Sequence, residues 1–396
     1  MTEWIECTLD KLGEIVGGAT PSTKCEDYYG GSIPWITPKD LSSFKGRYIT
    51  SGERNITEKG LASCSAQMMP KDAVLFTSRA PIGYVAIASQ SVCTNQGFKS
   101  IVVNEKADPL FVYYLLKYNK DAIEAMGSGT TFKEVSGKTM RAVKVRIPLD
   151  VSYQNRIAAV LDSLDTKIEN NERINDNLEQ QAQAIYHERF ETVSPNDLPS
   201  DWRIVTLGEV ATISNKSFNP LKEPEILLEH YSIPAFDEAR FPVFELSTSI
   251  KSNKFIIDAS CFMISKLNPT TKRVWKPYCL TGNAVCSTEF IVYKAKDQSI
   301  TDFLYSVIDS GSFSDFMCSH VTGSTGSRQR TTPSDTLSYE LILPSEDELA
   351  EFQSLVSPMY AQMRINAIEN DKLKRLRDSL LPKLMSGEID VSSVHL

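Results

Sequence analysis

Between residues 157 and 185 the chain repeats in alternating steps of four and three: Ile157, Leu161, Leu164, Ile168, Asn171, Asn175, Leu178, Ala182 and Ile185. Apolar positions at that spacing form the seam of a coiled-coil-like helix, predicted here over about 152–190. A second run has the same alternation: Phe352, Val356, Met359, Met363, Asn366, Asn370, Leu373, Arg377, Leu380 and Leu384, within a predicted helix at about 345–386. Each seam carries two asparagines one turn apart, although a short amide competes for backbone groups and is a poor interior helix residue.

Two arrangements account for these helices. Each could pack on its own domain, or the two could pack antiparallel on each other. In the second arrangement Asn171 faces Asn370 and Asn175 faces Asn366, and in both pairs the residue numbers sum to 541. The same sum pairs Ile157 with Leu384, Leu161 with Leu380, Ile168 with Leu373, Leu178 with Met363, Ala182 with Met359 and Ile185 with Val356. Leu164 against Arg377 is the mismatch, with the arginine stem expected to lie along the leucine. A slip of one heptad would bury unpaired amides at about 1–3 kcal/mol each, so the asparagines are expected to fix the register. Pro358 and Pro382 are expected to kink or end the second helix.

The rest of the chain alternates short apolar runs with Gly, Pro, Ser and Asn, as in "AVLFTS", "YVAIAS", "KSIVV", "CFMIS", "FIVY" and "ELILP". These predict strands, with helical patches over 109–126 and 300–317. The pattern occurs twice. "KLGEIV" (11–16) returns as "TLGEVA" (206–211), "GSIPWITPKD" (31–40) as "HYSIPAFDE" (230–238), "SVCTNQGFKSIVV" (91–103) as "AVCSTEFIVY" (284–293), and "MGSGTTFKEVS" (126–136) as "VTGSTGSRQRT" (321–331). Their common order and near-half-chain offset indicate a duplication rather than a solenoid. The expected organisation is α+β: two duplicated mixed α/β domains separated by two long antiparallel helices that form a coiled-coil-like spacer. The boundaries fall at 1–150 for the first domain, 151–190 for the central helix, 191–344 for the second domain and 345–396 for the last helix and tail.

Composition narrows the function. The 396 residues exceed one ordinary core. No apolar run reaches the roughly 18 residues of a membrane span, and the N-terminal segment lacks a signal-peptide pattern, so the expectation is cytoplasmic. The 8 cysteines and 4 histidines show no metal-ligand spacing. A net charge of -8 does not exclude nucleic acid, because the footprint of DNA binding is local.

The duplicated architecture, with "RAPIGYVAI" (79–87), "GSGTTFKEVS" (127–136) and "LRDSLLPKLMSGEI" (376–389), resembles the specificity subunit of type I restriction-modification systems over essentially the whole chain. The resemblance implies two target recognition domains, each reading one half of a split sequence in double-stranded DNA. It implies helices that set the gap and dock two modification (methyltransferase) subunits, which methylate adenine with S-adenosylmethionine bound by those partners, and restriction subunits that can join. It implies no catalysis and no cofactor in this chain. Consistent with that, no Asn/Asp-Pro-Pro-aromatic motif, glycine-rich cofactor loop, GxxxxGK[ST] motif or obvious nuclease carboxylate cluster occurs, "LNPT" (267–270) being the nearest approach to the first. The one departure from the family pattern is Pro358, expected to interrupt the second helix early.

Base readout needs donors and acceptors, and phosphates need cations and amides. "VTGSTGSRQRTTP" (321–333) supplies Ser327, Arg328, Gln329 and Arg330 without an acid. Its counterpart over 127–144 supplies Thr130, Thr131, Lys133 and Lys138, alongside Arg141 and Lys144. "SKLNPTTKRVWK" (265–276), again without an acid, supplies Lys266, Lys272 and Arg273, with Arg79 at the corresponding place in the first half. Lys39 and Gln96 complete the candidate DNA contacts, and Asn171, Asn175, Asn366 and Asn370 are the candidate register residues. The rival reading is an interaction scaffold whose duplicated domains bind proteins, favoured by the overall acidity. A fused methyltransferase is disfavoured by the missing motif.

Overall fold

A computed structural model describes residues 2–42, 44–129, 133–322 and 329–394. The chain forms two compact units, residues 1–169 with 372–396 and residues 170–371. The central helix, Val151–Tyr186, and the C-terminal helix, Glu346–Ser386, each contribute a segment to both units.

In the first unit the strand Trp4–Thr8 pairs antiparallel with Lys144–Pro148, Trp4 opposite Pro148, just before the central helix begins. A five-stranded sheet runs in the order Gly13–Gly17, Lys99–Val103, Val74–Ser78, Ile82–Ala88, Tyr48–Ile49. Val74–Ser78 is buried at every position, which explains its apolar start, Val74-Leu75-Phe76, and the absence of period-two alternation. The helix Pro109–Tyr118 starts where the Asp108 carboxylate accepts from the Phe111 amide at 2.8 Å with proline in the first turn. It buries Phe111, Val112, Tyr114, Leu115 and Leu116 in a core shared with Ile157 and Leu161 of the central helix and Leu384 and Met385 of the C-terminal helix. Beyond the last turn Gly387 takes φ +77°, the left-handed conformation that favours glycine after a helix, and a side chain there would meet the Trp4 ring at 2.8 Å.

The second unit repeats this plan. Arg203–Thr206 pairs antiparallel with Glu340–Leu343 before the C-terminal helix. A four-stranded sheet runs Ala211–Ile213, Phe290–Ala295, Cys261–Ser265, Val274–Trp275, and the helices Thr301–Ile308 and Gly311–Ser319 follow it. Five further strands form a separate sheet, at whose edge lies Val243–Leu246. The main core brings Tyr186 and Phe190 from the end of the central helix against Phe303 and Phe352, with ring centroids between 5.2 and 6.3 Å apart. The central helix closes with a π-turn over His187–Glu191, so it ends at the position expected but not as regular α-helix.

The helix segments pack antiparallel, and each pair of the 541 register falls within one unit. Asn171 Nδ2 donates to Asn370 Oδ1 at 2.8 Å and to Glu369 Oε2 at 2.7 Å. Asn366 Nδ2 donates to Asn175 Oδ1 at 2.8 Å, while Asn175 Nδ2 donates to the Met363 carbonyl at 3.2 Å. Gln362 donates to Asn366 Oδ1 at 2.7 Å. The buried amides therefore pair with one another and with neighbouring acceptors, which removes the desolvation cost of an orphaned amide.

One expectation needs correction. Pro358 and Pro382 do not interrupt the C-terminal helix, which is continuous from Glu346 to Ser386. Both prolines are exposed, as are Ser354 and Asp378, whose carbonyls lose the amide partner, so water can serve those carbonyls without a break. The head group of Arg377, whose stem is expected to lie along Leu164, donates to the buried Asp165 carboxylate at 2.7 Å, a partner outside the seam. Tyr114 Oη donates to the other oxygen of that carboxylate at 2.8 Å.

Candidate nucleic-acid interface

In both units three segments meet at the end of the innermost strand. In the first unit Ser78 N donates to the Gly97 carbonyl at 2.7 Å, and Val135 N donates to the Ser78 carbonyl at 2.9 Å. In the second, Lys266 N donates to the Glu289 carbonyl at 2.9 Å, and Thr331 N donates to the Lys266 carbonyl at 3.1 Å. Backbone bridges continue the match, Arg79 with Glu134 and Leu267 with Arg330. The next residue takes a left-handed φ in each, +46° at Ala80 and +55° at Asn268, a conformation uncommon outside glycine and often kept at functional sites. The backbone frame is thus built twice.

The side chains on that frame differ. In the first unit Glu134 of the loop lies 3.6 Å from Arg79 and 3.7 Å from Lys99. Gly97 has no room for more, since a Cβ there would lie 2.7 Å from Pro38 Cγ and 2.9 Å from Asn95 Oδ1. In the second unit Glu289 occupies the position of Gly97 and receives Arg330 of the loop through Nε at 2.9 Å and Nη2 at 3.2 Å. The guanidinium of Arg330 is held above its ordinary pKa by that hydrogen bond and charge. The third segment of the junction carries the acid, Glu134, in the first unit and the cation, Arg330, in the second, where the acid, Glu289, sits on the segment that carries Gly97 in the first.

The sequence candidates fall into three groups. Gln96 is exposed beside the first junction and accepts from the Thr20 hydroxyl. Lys133 and Lys138 are exposed, and neither has an acidic partner among the described residues. Lys266 and Gln329 are half-buried at the second junction, where the Gln329 carbonyl accepts from Asn268 N at 3.0 Å. A second group sits in ion pairs. Lys272 Nζ lies 2.8 Å from the buried Asp309 carboxylate, Arg273 Nε lies 2.5 Å from Asp237, and Lys276 pairs with Asp302. The stretch 265–276 contains no acid, yet the fold supplies one to each of these cations from a distant segment. Lys39 belongs here too, 2.6 Å from Glu53, with both side chains exposed. It borders a shallow groove of about 450 Å³ with Phe44 and Tyr48. Thr130, Thr131, Ser327 and Arg328 lie outside the described residues.

The sequence shows Glu134 as the acid amid the cations of 127–144 but not its partners Arg79 and Lys99, and Glu289, the counter-charge of the second junction, was missed. Aligning "NQGF" (95–98) with "STEF" (287–290) was the available signal, since it sets Glu289 against Gly97. Among the described residues no three His, Cys, Asp or Glu side chains are grouped to hold a metal, and no helix is long and apolar enough to cross a membrane.

The chain is thus one module built twice on one frame, with different polar groups at the corresponding place. Residues 1–180 match the family model described as "Type I restriction modification DNA specificity domain". The chain is 31% identical over 423 residues to the type I restriction enzyme MjaIX specificity subunit of Methanocaldococcus jannaschii, covering 99% of this chain and 95% of that one. It is 29% identical over 167 residues to the EcoR124I/EcoR124II specificity subunit of Escherichia coli, covering 40% of each. A crystal structure of the type I restriction-modification S subunit from M. genitalium superposes with a TM-score of 0.60 at 17% identity, covering 97% of this chain and 96% of that one, a likeness of fold. The chain belongs to the family of type I restriction-modification specificity subunits.

Proposed function

We propose that this chain reads a bipartite DNA target, each unit contributing its three-segment junction to one half-site, while the paired helices set the gap and dock two methylation subunits. S-adenosylmethionine belongs, in this reading, to those partners, which methylate adenine, and restriction subunits can join the complex. The observation that carries the reading is the common backbone frame with exchanged polar groups. A constant frame fixes position on the duplex, and variable side chains supply different donor and acceptor patterns to base edges. Gln96, Lys133 and Lys138 in the first unit and Lys266, Gln329 and Arg330 in the second are the proposed contacts. Glutamine suits adenine N6/N7 and arginine suits guanine O6/N7. Lys272 and Arg273, whose acids lie on segments outside the junction, are better placed to support the fold than to touch bases, whereas Arg330 pairs with Glu289 within the junction itself. Lys39, Arg79, Thr130, Thr131, Ser327 and Arg328 remain proposed contacts on their residue types.

The test is methylation by the chain with its modification subunits on duplexes varied one base at a time in each half. Gln96→Ala should relax discrimination in one half-site by about 1–3 kcal/mol per contacted base and leave the other intact. Arg330→Ala should do the same in the opposite half. Unchanged discrimination in both halves would remove the junctions as readers.

A further inference from the structure

Two arginines, Arg47 in the first unit and Arg240 in the second, leave the mixed parts of their units and end on the central helix. Arg47 is 6% exposed. Its Nη1 donates to the Asp162 carbonyl at 3.1 Å, and its Nη2 donates to Thr166 Oγ1 at 2.9 Å and Glu169 Oε2 at 3.2 Å. Those three positions lie along one helix face at steps of four and three. Arg240 holds Glu179 in a two-pronged pair, Nη2 to Oε1 at 2.8 Å and Nη1 to Oε2 at 2.9 Å. The geometry of that fork is specific to a guanidinium; an ammonium offers a point charge and no such plane. Each arginine also sits at a turn, Arg47 directly before the strand Tyr48–Ile49 and Arg240 at φ +47° after the helix Ile233–Ala239.

We infer that Arg47 and Arg240 are positioning residues that fix the angle at which each recognition region is carried on the central helix, and so sharpen the preferred gap between half-sites. This inference rests on the proposed reading of a bipartite target. Neither arginine lies at the three-segment junctions, so base discrimination and gap preference are separable. A core residue that merely stabilised the fold would lower activity at every gap alike. A residue that sets an angle changes the shape of the gap profile.

The experiment uses the full chain with its modification subunits. Genome-wide mapping of methylated adenines with the wild-type complex gives the half-sites and gap. Duplexes carrying those half-sites at the optimal gap and at one base pair more or less then serve as substrates. Arg47→Lys and Arg240→Lys keep the charge but lose the fork, and Glu179→Gln weakens the second bracket from the helix side, so the test does not hang on one variant folding. The expected result is that methylation at the neighbouring gaps rises about fivefold relative to the optimum, the factor that about 1 kcal/mol of orientation energy supplies, with single-base discrimination unchanged. A gap profile identical to wild type in folded variants overturns the inference. A wild-type complex that shows no bipartite target overturns the proposed function itself, and with it this inference.

Discussion

The two units share a plan but keep it in place with different chemistry. Beneath the first helix after the sheet of the first unit, a charged group is served: Arg377 and Tyr114 both donate to the Asp165 carboxylate. At the equivalent place in the second, Ser306 and Tyr360 share a neutral hydroxyl pair at 2.8 Å, and an aromatic cluster around Phe303 fills the core. Lys117 of the first unit, whose pKa is lowered by burial, corresponds to Asp309 of the second, whose pKa burial raises to about 6. A duplication keeps strand order and backbone bridges, because these fix where the chain goes. Buried partners can be exchanged as sets, provided every member of the set changes.

The largest expected effect comes from the aromatic core. Phe303→Ala should destabilise by about 4–5 kcal/mol, and the matching Phe111→Ala by about 3–4 kcal/mol, because ring–ring contacts add to the cavity cost in the second unit. Urea unfolding of both variants measures the difference, and equal losses would break the contrast. Next comes the charged face. Arg377→Ala leaves Asp165 buried with its tyrosine donor alone and should cost about 3–4 kcal/mol. Tyr360→Phe in the second unit, which removes a neutral hydroxyl pair, should cost nearer 1 kcal/mol. Adding Asp165→Asn to Arg377→Ala should recover much of the loss, and no recovery would show that the arginine acts through packing. The smallest of the three is a pH effect. The folded pKa of Asp309, about 6, lies above its ordinary 3.8. Its contribution is therefore fully present below pH ~4 and is lost as pH rises through 6, on the order of 2–3 kcal/mol across that window. Unfolding midpoints between pH 4 and 7 should show this slope in wild type and a flatter one in Asp309→Asn; identical slopes would sink the assignment.

What the chain disclosed in advance follows the range of each interaction. The duplication and the helices were legible because repeats and heptads are local patterns. The pairing of Asn171 with Asn370 and Asn175 with Asn366 was legible because apolar seams leave few places for an amide. Partners that no repeating pattern ties together were not. Nothing near 265–276 announced Asp237, Asp302 or Asp309 as counter-charges, and nothing near Arg377 announced Asp165. The prolines were misjudged because their effect depends on whether the freed carbonyl meets water, a property of the fold and not of the residue.

The C-terminal helix finishes beside the first strand: Arg146 donates to the Ser386 carbonyl at 3.0 Å, Tyr153 donates to Asp390 at 2.9 Å, and Gly387 lies against Trp4. The helix end and the strand Trp4–Thr8 therefore work as one clasp: trimming the residues after Ser386 would uncover Trp4 and take from Tyr153 its carboxylate acceptor, so the opening strand of this unit depends on residues almost four hundred positions away.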